Sequence, residues 1–229
     1  MTLHIRQPLP TATIDALIDE ALFAKSSASS YRDMFKRALD VTLVLIAALP
    51  VLFFVLVFAA LVALDGKSPF YMQKRVGQNG RIFRMWKLRS MVTNADEALA
   101  KHLAADPAAR VEWDRFQKLS HDPRITKIGQ LIRKTSVDEL PQLWNVLRGD
   151  MSLVGPRPMM PCQQEIYPGT AYYALRPGIT GFWQTSVRNE SSFSERAAFD
   201  TAYLRELSFV TDVKTILKTF KVVVRGTGC

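Results

Sequence analysis

Metal ligands and thiols are scarce in this sequence. Two cysteines, Cys162 and Cys229, and three histidines among 229 residues match no zinc-ligand spacing, so no zinc site is expected. So few cysteines give no disulfide framework and suit a reducing compartment. The first ten residues contain no long apolar run, so no cleavable signal peptide is expected. Acidic residues are also in deficit. Thirty Lys and Arg stand against twenty-one Asp and Glu, a formal +9 that calls for phosphate groups, anionic lipid or nucleic acid as a partner. The length suits one catalytic-size domain with appendages.

Along the chain, Ile14, Leu17, Ile18 and Leu22 fall at helical spacing, and Ser26 to Ser30 read as a linker. Residues 1–30 are therefore expected as a variable segment with a peripheral amphipathic helix. From Val41 to Leu64 no residue is charged; at about 1.5 Å per residue that stretch covers a hydrocarbon core of roughly 30 Å. Pro50 removes a backbone hydrogen bond within it and favours a kink or break. Arg32, Lys36 and Arg37 precede the segment, and Lys67, Lys74 and Arg75 follow it. Lys and Arg mark cytoplasmic flanks, so this pattern fits a hairpin that enters and leaves by one face, while a kinked single span stands as the alternative.

Beyond the segment, two short apolar and aromatic runs flank Gly77-Gln78-Asn79-Gly80, which signals a β-hairpin. Its many cations read either as a solvated edge or, with Phe70, Tyr71 and Trp86 among them, as a membrane interface. Nucleic acid would recruit the same residue types, but the adjacent apolar segment favours a bilayer. Residues 93–119 read as amphipathic helices broken at Pro107, with Ala95, Leu99 and Leu103 on one face and Val111, Trp113, Phe116 and Leu119 following. Ile125, Ile128, Leu131 and Ile132 continue at helical spacing after the Asp122-Pro123 stop. Leu204, Leu207, Val210, Val213, Ile216, Leu217 and Phe220 form a closing helical pattern, read as a packed amphipathic helix.

The chemistry centres on Ser136-Val137-Asp138-Glu139-Leu140-Pro141. Ser136 and Glu139 have capping-box spacing, yet a cap at Ser136 would put Pro141 where it deletes a helical bond. A start at Asp138 leaves Pro141 among positions whose N–H is free anyway, so Asp138 is the expected N-cap, with Leu140, Leu143, Trp144 and Leu147 as the buried stripe and a stop before Gly149. Two adjacent carboxylates repel, and a cation or divalent metal relieves them. Carboxylates with phosphate oxygens and waters are a usual Mg²⁺ environment, and Asp is a known nucleophile type in phosphoryl chemistry. Capping alone and catalysis both remain open for Asp138. Arg157, between Pro156 and Pro158, reads either as a stiffened phosphate clamp or as a solvated loop arginine.

Several separate motifs now agree: Lys87-Leu88-Arg89-Ser90-Met91, Asp122-Pro123-Arg124-Ile125-Thr126, Leu131-Ile132-Arg133, Asp138-Glu139-Leu140-Pro141-Gln142-Leu143, Gly149-Asp150-Met151-Ser152-Leu153-Val154-Gly155-Pro156-Arg157-Pro158 and Arg176-Pro177-Gly178-Ile179-Thr180-Gly181. In order and spacing, from about Lys36 to Gly228, the chain resembles the bacterial sugar transferase family, the monotopic phosphoglycosyl transferases, and in length its short exopolysaccharide-priming members. The resemblance implies a mostly helical α/β protein with a small β-hairpin. It implies a re-entrant membrane helix over residues 31–66 with its break at Pro50, and a catalytic domain over residues 67–229 on the cytoplasmic face of the bacterial inner membrane. It further implies a Mg²⁺-dependent, two-step transfer of sugar phosphate from a UDP-sugar to polyprenyl phosphate with release of UMP. Asp138 would be the nucleophile, Glu139 a metal ligand or base beside it, and Lys87, Arg133 and Arg157 would hold phosphates. Asp212 would support the site, and the segment from Arg176 to Gln184 would either border the nucleotide sugar or only pack the domain. One departure is that the family's helix-breaking Ser-Pro is Leu49-Pro50 here. A membrane-anchored scaffold without catalysis is the alternative function. A homodimer is compatible with the sequence, which does not fix the oligomeric state or the sugar.

Overall fold

In a computed structural model of the chain, residues 31–116, 119–186 and 193–224 are described; the expected N-terminal helix lies outside them. A short π-helical turn, Tyr31–Phe35, leads into α1, Lys36–Ala63, which is one helix long and apolar enough to cross a membrane. Its 28 residues extend roughly 42 Å at the standard helical rise. Helical geometry continues through Pro50, so the expected break does not appear as an interruption of the helix. Proline removes only one ladder bond, and the apolar residues on both sides favour helix strongly enough to carry on past it.

Both ends of α1 pack on the same body. Near its start, Val44 joins Phe83, Met85, Val146 and Met151 in one core cluster; near its end, Ala59 and Val62 join Leu88 and Ile132 in another. Polar ties reinforce the first contact: Arg37 donates to the carbonyls of Val146 and Leu147, and Asp40 Oδ1 accepts the Leu153 N–H at 3.0 Å. At the far end Arg89 reaches the Val62 carbonyl and forms a two-pronged pair with Asp65 at 2.7 Å. Between these anchors, Leu45, Ile46, Leu49, Leu52, Phe53 and Phe54 are exposed, an apolar surface that no described residue covers.

The expected hairpin is present as β1, Phe70–Val76, antiparallel to β2, Ile82–Leu88, in register Val76 opposite Ile82. The Asn-Gly signal lies in a turn wider than a two-residue loop: Gln78–Gly80 makes a 3₁₀ turn with Asn79 at φ 56, closed by Gly77 N–H to Arg81 O at 2.7 Å. Two surface helices follow, α2 Ala95–Ala105 and α3 Pro107–Phe116. Pro107 opens α3 rather than breaking a helix, because Asp106 caps it by accepting the N–H groups of Ala108 and Ala109. Ala109 is the buried residue of this pair of helices and Val111 is exposed, so they are peripheral, as the sequence suggests.

Helix α4, Lys127–Lys134, is capped by Thr126, whose Oγ1 accepts the Gly129 N–H at 2.9 Å. It buries Ile132 completely while Leu131 is exposed. Helix α5 is Gln142–Arg148. It ends where expected, with Gly149 at φ 85 in the left-handed conformation that glycine adopts cheaply. Its start differs from expectation. Pro141 occupies the capping position without a side-chain cap, and Asp138 sits in a preceding 3₁₀ turn, Val137–Glu139. Pro141 selected a late start, as reasoned, but one later than Asp138. Of the expected stripe, Leu143 and Leu147 pack in the core, whereas Trp144 is exposed. Asn145 takes the inward position instead. Fully buried, it accepts the Trp86 N–H at 3.0 Å and donates to the Arg84 carbonyl at 2.8 Å, fastening α5 to β2.

A second sheet has no counterpart in the sequence reading. Strand β3, Ser152–Val154, pairs in parallel with β4, Gly178–Thr180. Each strand has three residues, too few for an alternating pattern to be visible. The Gly-Pro and Pro-Gly motifs are explained by this crossing. A Cβ on Gly155 would overlap the Arg176 carbonyl, and one on Gly178 would overlap the Gly155 backbone.

The closing pattern splits at Leu207-Ser208 into α6, Arg196–Glu206, and α7, Phe209–Val224. Its apolar face packs in part: Leu204 is buried and Leu207 and Ile216 pack in its cluster, but Val210, Leu217 and Phe220 are exposed, while Asp212 and Thr215 are buried. Polar partners account for this. Asp212 has a cation and two phenols around it, and Thr219 Oγ1 lies 2.7 Å from Thr180 Oγ1 on β4.

Candidate active site

Lys87 is the penultimate residue of β2. Strand alternation turns Leu88 into the cluster with Ala59, Val62 and Ile132 and leaves Lys87 on the opposite face. There its Nζ lies 2.9 Å from Glu139 Oε1 and 3.7 Å from Asp138 Oδ2. The acidic turn is held from behind by Val137, which packs against the same cluster. Ser136 adopts φ 56 to reverse the chain after α4, an uncommon conformation for a residue with a side chain. The result is a fixed Asp-Glu pair facing one ammonium.

Asp138 is 6% exposed. Burial pushes its carboxyl above the usual range and the neighbouring Glu139 adds to that, while Lys87, Arg133 and Arg157 pull it back. The group is thus a desolvated carboxylate kept chargeable by three cations. Arg133, in the last turn of α4, is anchored by Nε to Ser90 Oγ at 2.9 Å. Burial lowers its guanidinium from the usual value, and the charges of Asp138 and Asp122 oppose that shift.

A polar cleft opens beside the pair, lined by Glu139 with Arg75, Lys87, Gln142, Arg157 and Gln184 among others. Of these, Arg75 reads in the sequence only as part of a basic edge. Arg75 donates to the Pro158 carbonyl at 3.0 Å and to Gln73 Oε1 at 2.5 Å. Burial, with Arg157 nearby, pulls its guanidinium down to about 10. Arg196 on α6 is pulled down to about 9, again by burial and the charge of Arg157, with Asp200 opposing. Arg157 itself lies over the Trp183 ring at 5.4 Å, and Arg196 over the same ring at 4.3 Å. The charge of Arg157 thus lowers both Arg75 and Arg196, and a polyanion reaching Arg75 and Arg157 in the cleft would relieve that repulsion.

The structure therefore brings Lys87, Asp138, Glu139, Arg133 and Arg157 into one electrostatic unit. Asp212 lies elsewhere. It is 1% exposed and receives Lys36 Nζ at 2.7 Å, the Tyr31 hydroxyl at 2.6 Å and the Tyr203 hydroxyl at 2.6 Å. Tyr203 also lies 3.2 Å from the Val154 carbonyl, on the strand that leads to Arg157. Asp212 thus joins α7 to the base of α1 and to the root of the arginine loop. Pro50 belongs to the exposed apolar part of α1. Arg75 lies on the strand paired with that of Lys87; Arg196 carries no such signal, whereas Gln184 closes the Arg176 to Gln184 segment, read in the sequence as bordering the nucleotide sugar or only packing the domain.

Several known proteins are similar to this chain in sequence. A UDP-galactose-lipid carrier transferase of Erwinia amylovora is 48% identical over 193 residues, 83% of this chain and 39% of that protein. An undecaprenyl-phosphate galactose phosphotransferase of Salmonella typhimurium is 49% identical over 166 residues, 72% of this chain and 35% of that protein. This chain thus spans little more than a third of those two relatives. The exopolysaccharide production protein ExoY of Sinorhizobium fredii matches nearly end to end, 42% identical over 196 residues, 84% of this chain and 87% of that protein. The bacterial sugar transferase family matches residues 31–226, which include every element described above, and the chain belongs to that family.

Proposed function

We propose that this protein transfers a sugar phosphate from a UDP-sugar to polyprenyl (undecaprenyl) phosphate, releasing UMP, as the priming step of exopolysaccharide or related glycan assembly. The observation that carries the reading is the buried Asp138 beside Glu139, both facing Lys87 at the mouth of a cleft with Arg75 and Arg157 on its walls. Asp138 Oδ attacks the sugar-linked phosphorus as the bond to the UMP oxygen breaks, and the leaving phosphate takes the electron pair. The aspartyl-phosphosugar so formed is attacked by an oxygen of polyprenyl phosphate. The polyprenyl diphosphate sugar departs and the Asp138 carboxylate is restored. Glu139 is placed to take a proton from the incoming phosphate, and Lys87, Arg157 and Arg75 balance the negative charge that both displacements gather. Arg133 steadies the ionised form of Asp138.

Asp138 and Glu139 also fit a Mg²⁺ ion, which takes one or two carboxylates and completes its shell with phosphate oxygens and water. Bound there, the ion would neutralise diphosphate charge. UDP-galactose is the first donor to test, because two of the relatives above are named for galactose. The support for membrane placement is the anchoring of α1 at both ends on one domain with an exposed apolar middle. A helix fixed in this way cannot put its ends on opposite sides of a bilayer, so we read it as re-entrant, with the domain on the cytoplasmic face of the inner membrane. Purified protein in detergent with UDP-galactose, Mg²⁺ and undecaprenyl phosphate is expected to release UMP, and Asp138→Asn to release none. Normal turnover by Asp138→Asn would overturn the reading.

A further inference from the structure

Every charged group of the cleft already has a role toward phosphate, but one neutral side chain there has none. Gln184 lies in a one-turn helix, Phe182–Thr185, that begins just after β4 at Gly181. It is 5% exposed, and neither its Nε2 nor its Oε1 has a hydrogen-bond partner among the described residues. Nearly all buried side-chain amides in folded proteins are paired, so one with both ends free needs an explanation. Its position supplies one, for Gln184 lines the same cleft as Arg75, Arg157 and Glu139. The next residue back, Trp183, carries the Arg157 and Arg196 guanidinium groups over its ring. Gln184 is therefore held on a wall whose other members are fixed by stacking and by the tight β3–β4 crossing.

We infer that Gln184 is a specificity-determining contact for the donor substrate, its amide pairing with a neutral edge that offers one hydrogen-bond donor beside one acceptor. The inference rests on the proposed function. A neutral amide gains little from a phosphate already surrounded by three cations, but it matches the imide edge of a pyrimidine or the hydroxyl of a sugar ring. Both sources present the same chemistry, and either orientation of the amide serves it. Unpaired while the cleft is empty, the side chain is kept at a cost to the free protein that the bound substrate recovers.

That cost makes the test unusual. Gln184→Met keeps the volume and removes both polar atoms, so the ligand-free variant is expected to unfold at a temperature equal to or above that of the wild type. The same variant is expected to show a KM for UDP-galactose raised about tenfold, roughly the loss of 1.4 kcal/mol of binding, with kcat much less affected. UMP as a product inhibitor separates the two sources. An equally weakened UMP inhibition assigns the amide to the nucleotide, whereas unchanged UMP inhibition with altered preference between UDP-galactose and UDP-glucose assigns it to the sugar. A lowered unfolding temperature, or an unchanged KM together with unchanged inhibition and sugar preference, would overturn the inference. If instead the wild type releases no UMP from any UDP-sugar, it is the proposed function that fails.

Discussion

Replacing Lys36 by methionine tests how the membrane helix is joined to the domain. Lys36 Nζ lies 2.7 Å from Asp212 Oδ2, with side chains 6% and 1% exposed, and it also donates to the Tyr203 hydroxyl at 3.0 Å. The substitution retains most of the volume and, among the described residues, leaves the Asp212 carboxylate the Tyr31 and Tyr203 hydroxyls. Breaking one side of a buried pair costs about 3–5 kcal/mol, whereas replacing both sides with apolar groups is often close to neutral. For a domain of this size each kcal/mol moves the unfolding midpoint by about 2–4 °C, so Lys36→Met is expected to lower it by roughly 6–20 °C. Lys36→Met combined with Asp212→Leu should recover most of that loss, giving a coupling energy of a few kcal/mol in the double-mutant cycle. Thermal unfolding of the detergent-solubilised protein by circular dichroism, at one detergent concentration and scan rate, reads all four corners. A single variant within about 1 kcal/mol of the wild type, or a double variant no better than the single one, would refute the assignment of Asp212 as the anchor of α1.

Three further outcomes follow from the geometry. Because burial holds the Asp138 carboxyl above its usual range, its folded-state pKa exceeds its unfolded one; the linked stability is present at acid pH and is lost as pH rises through the folded value. Asp138→Asn is therefore expected to raise the unfolding temperature at pH 7–8, and the gain should vanish near and below about pH 4, the unfolded carboxylate range, in a pH series of melts. Lys87→Met removes the largest charge that lowers Asp138, so the acid limb of kcat/KM should move to higher pH while the rate falls by about tenfold or more. Gly155→Ala would push a methyl group into the Arg176 carbonyl; separation of β3 from β4 should be seen as loss of UMP release and a melt lowered by several degrees, while Gly80→Ala, with open space around its Cβ, should cost only the strain of its φ of 77.

Much of this site can be read from sequence because its parts lie on short local signals. Asp138 and Glu139 are adjacent, Lys87 follows an alternating strand, and Arg157 is stiffened by two prolines. The apolar run of α1 and the β1–β2 hairpin are equally local. What escaped depends on tertiary partners. Local signals favour Asp138 as a helix cap, yet the helix begins at Gln142 because Pro141 takes the capping position and because Lys87 and the buried turn claim the carboxylate. The closing apolar pattern packs through Leu204, Leu207 and Ile216, but Lys36, distant in sequence, draws Asp212 inward and Val210 and Leu217 stay exposed. The parallel β3–β4 pair is too short for periodicity, and its glycines mark it only once their close approach is seen. For the segment ending at Gln184 the sequence leaves two readings open, a border of the nucleotide sugar or domain packing, because a buried amide without a partner among the described residues is a property of the fold.

The central claim, that Asp138 is the nucleophile, is tested most directly by mass spectrometry of the protein incubated with UDP-galactose and Mg²⁺ in the absence of undecaprenyl phosphate. The account predicts one added hexose phosphate on the peptide containing Asp138, lost when undecaprenyl phosphate is supplied and never formed by Asp138→Asn. Full turnover with no adduct at any time point, or an adduct on another residue that forms equally in Asp138→Asn, would contradict it.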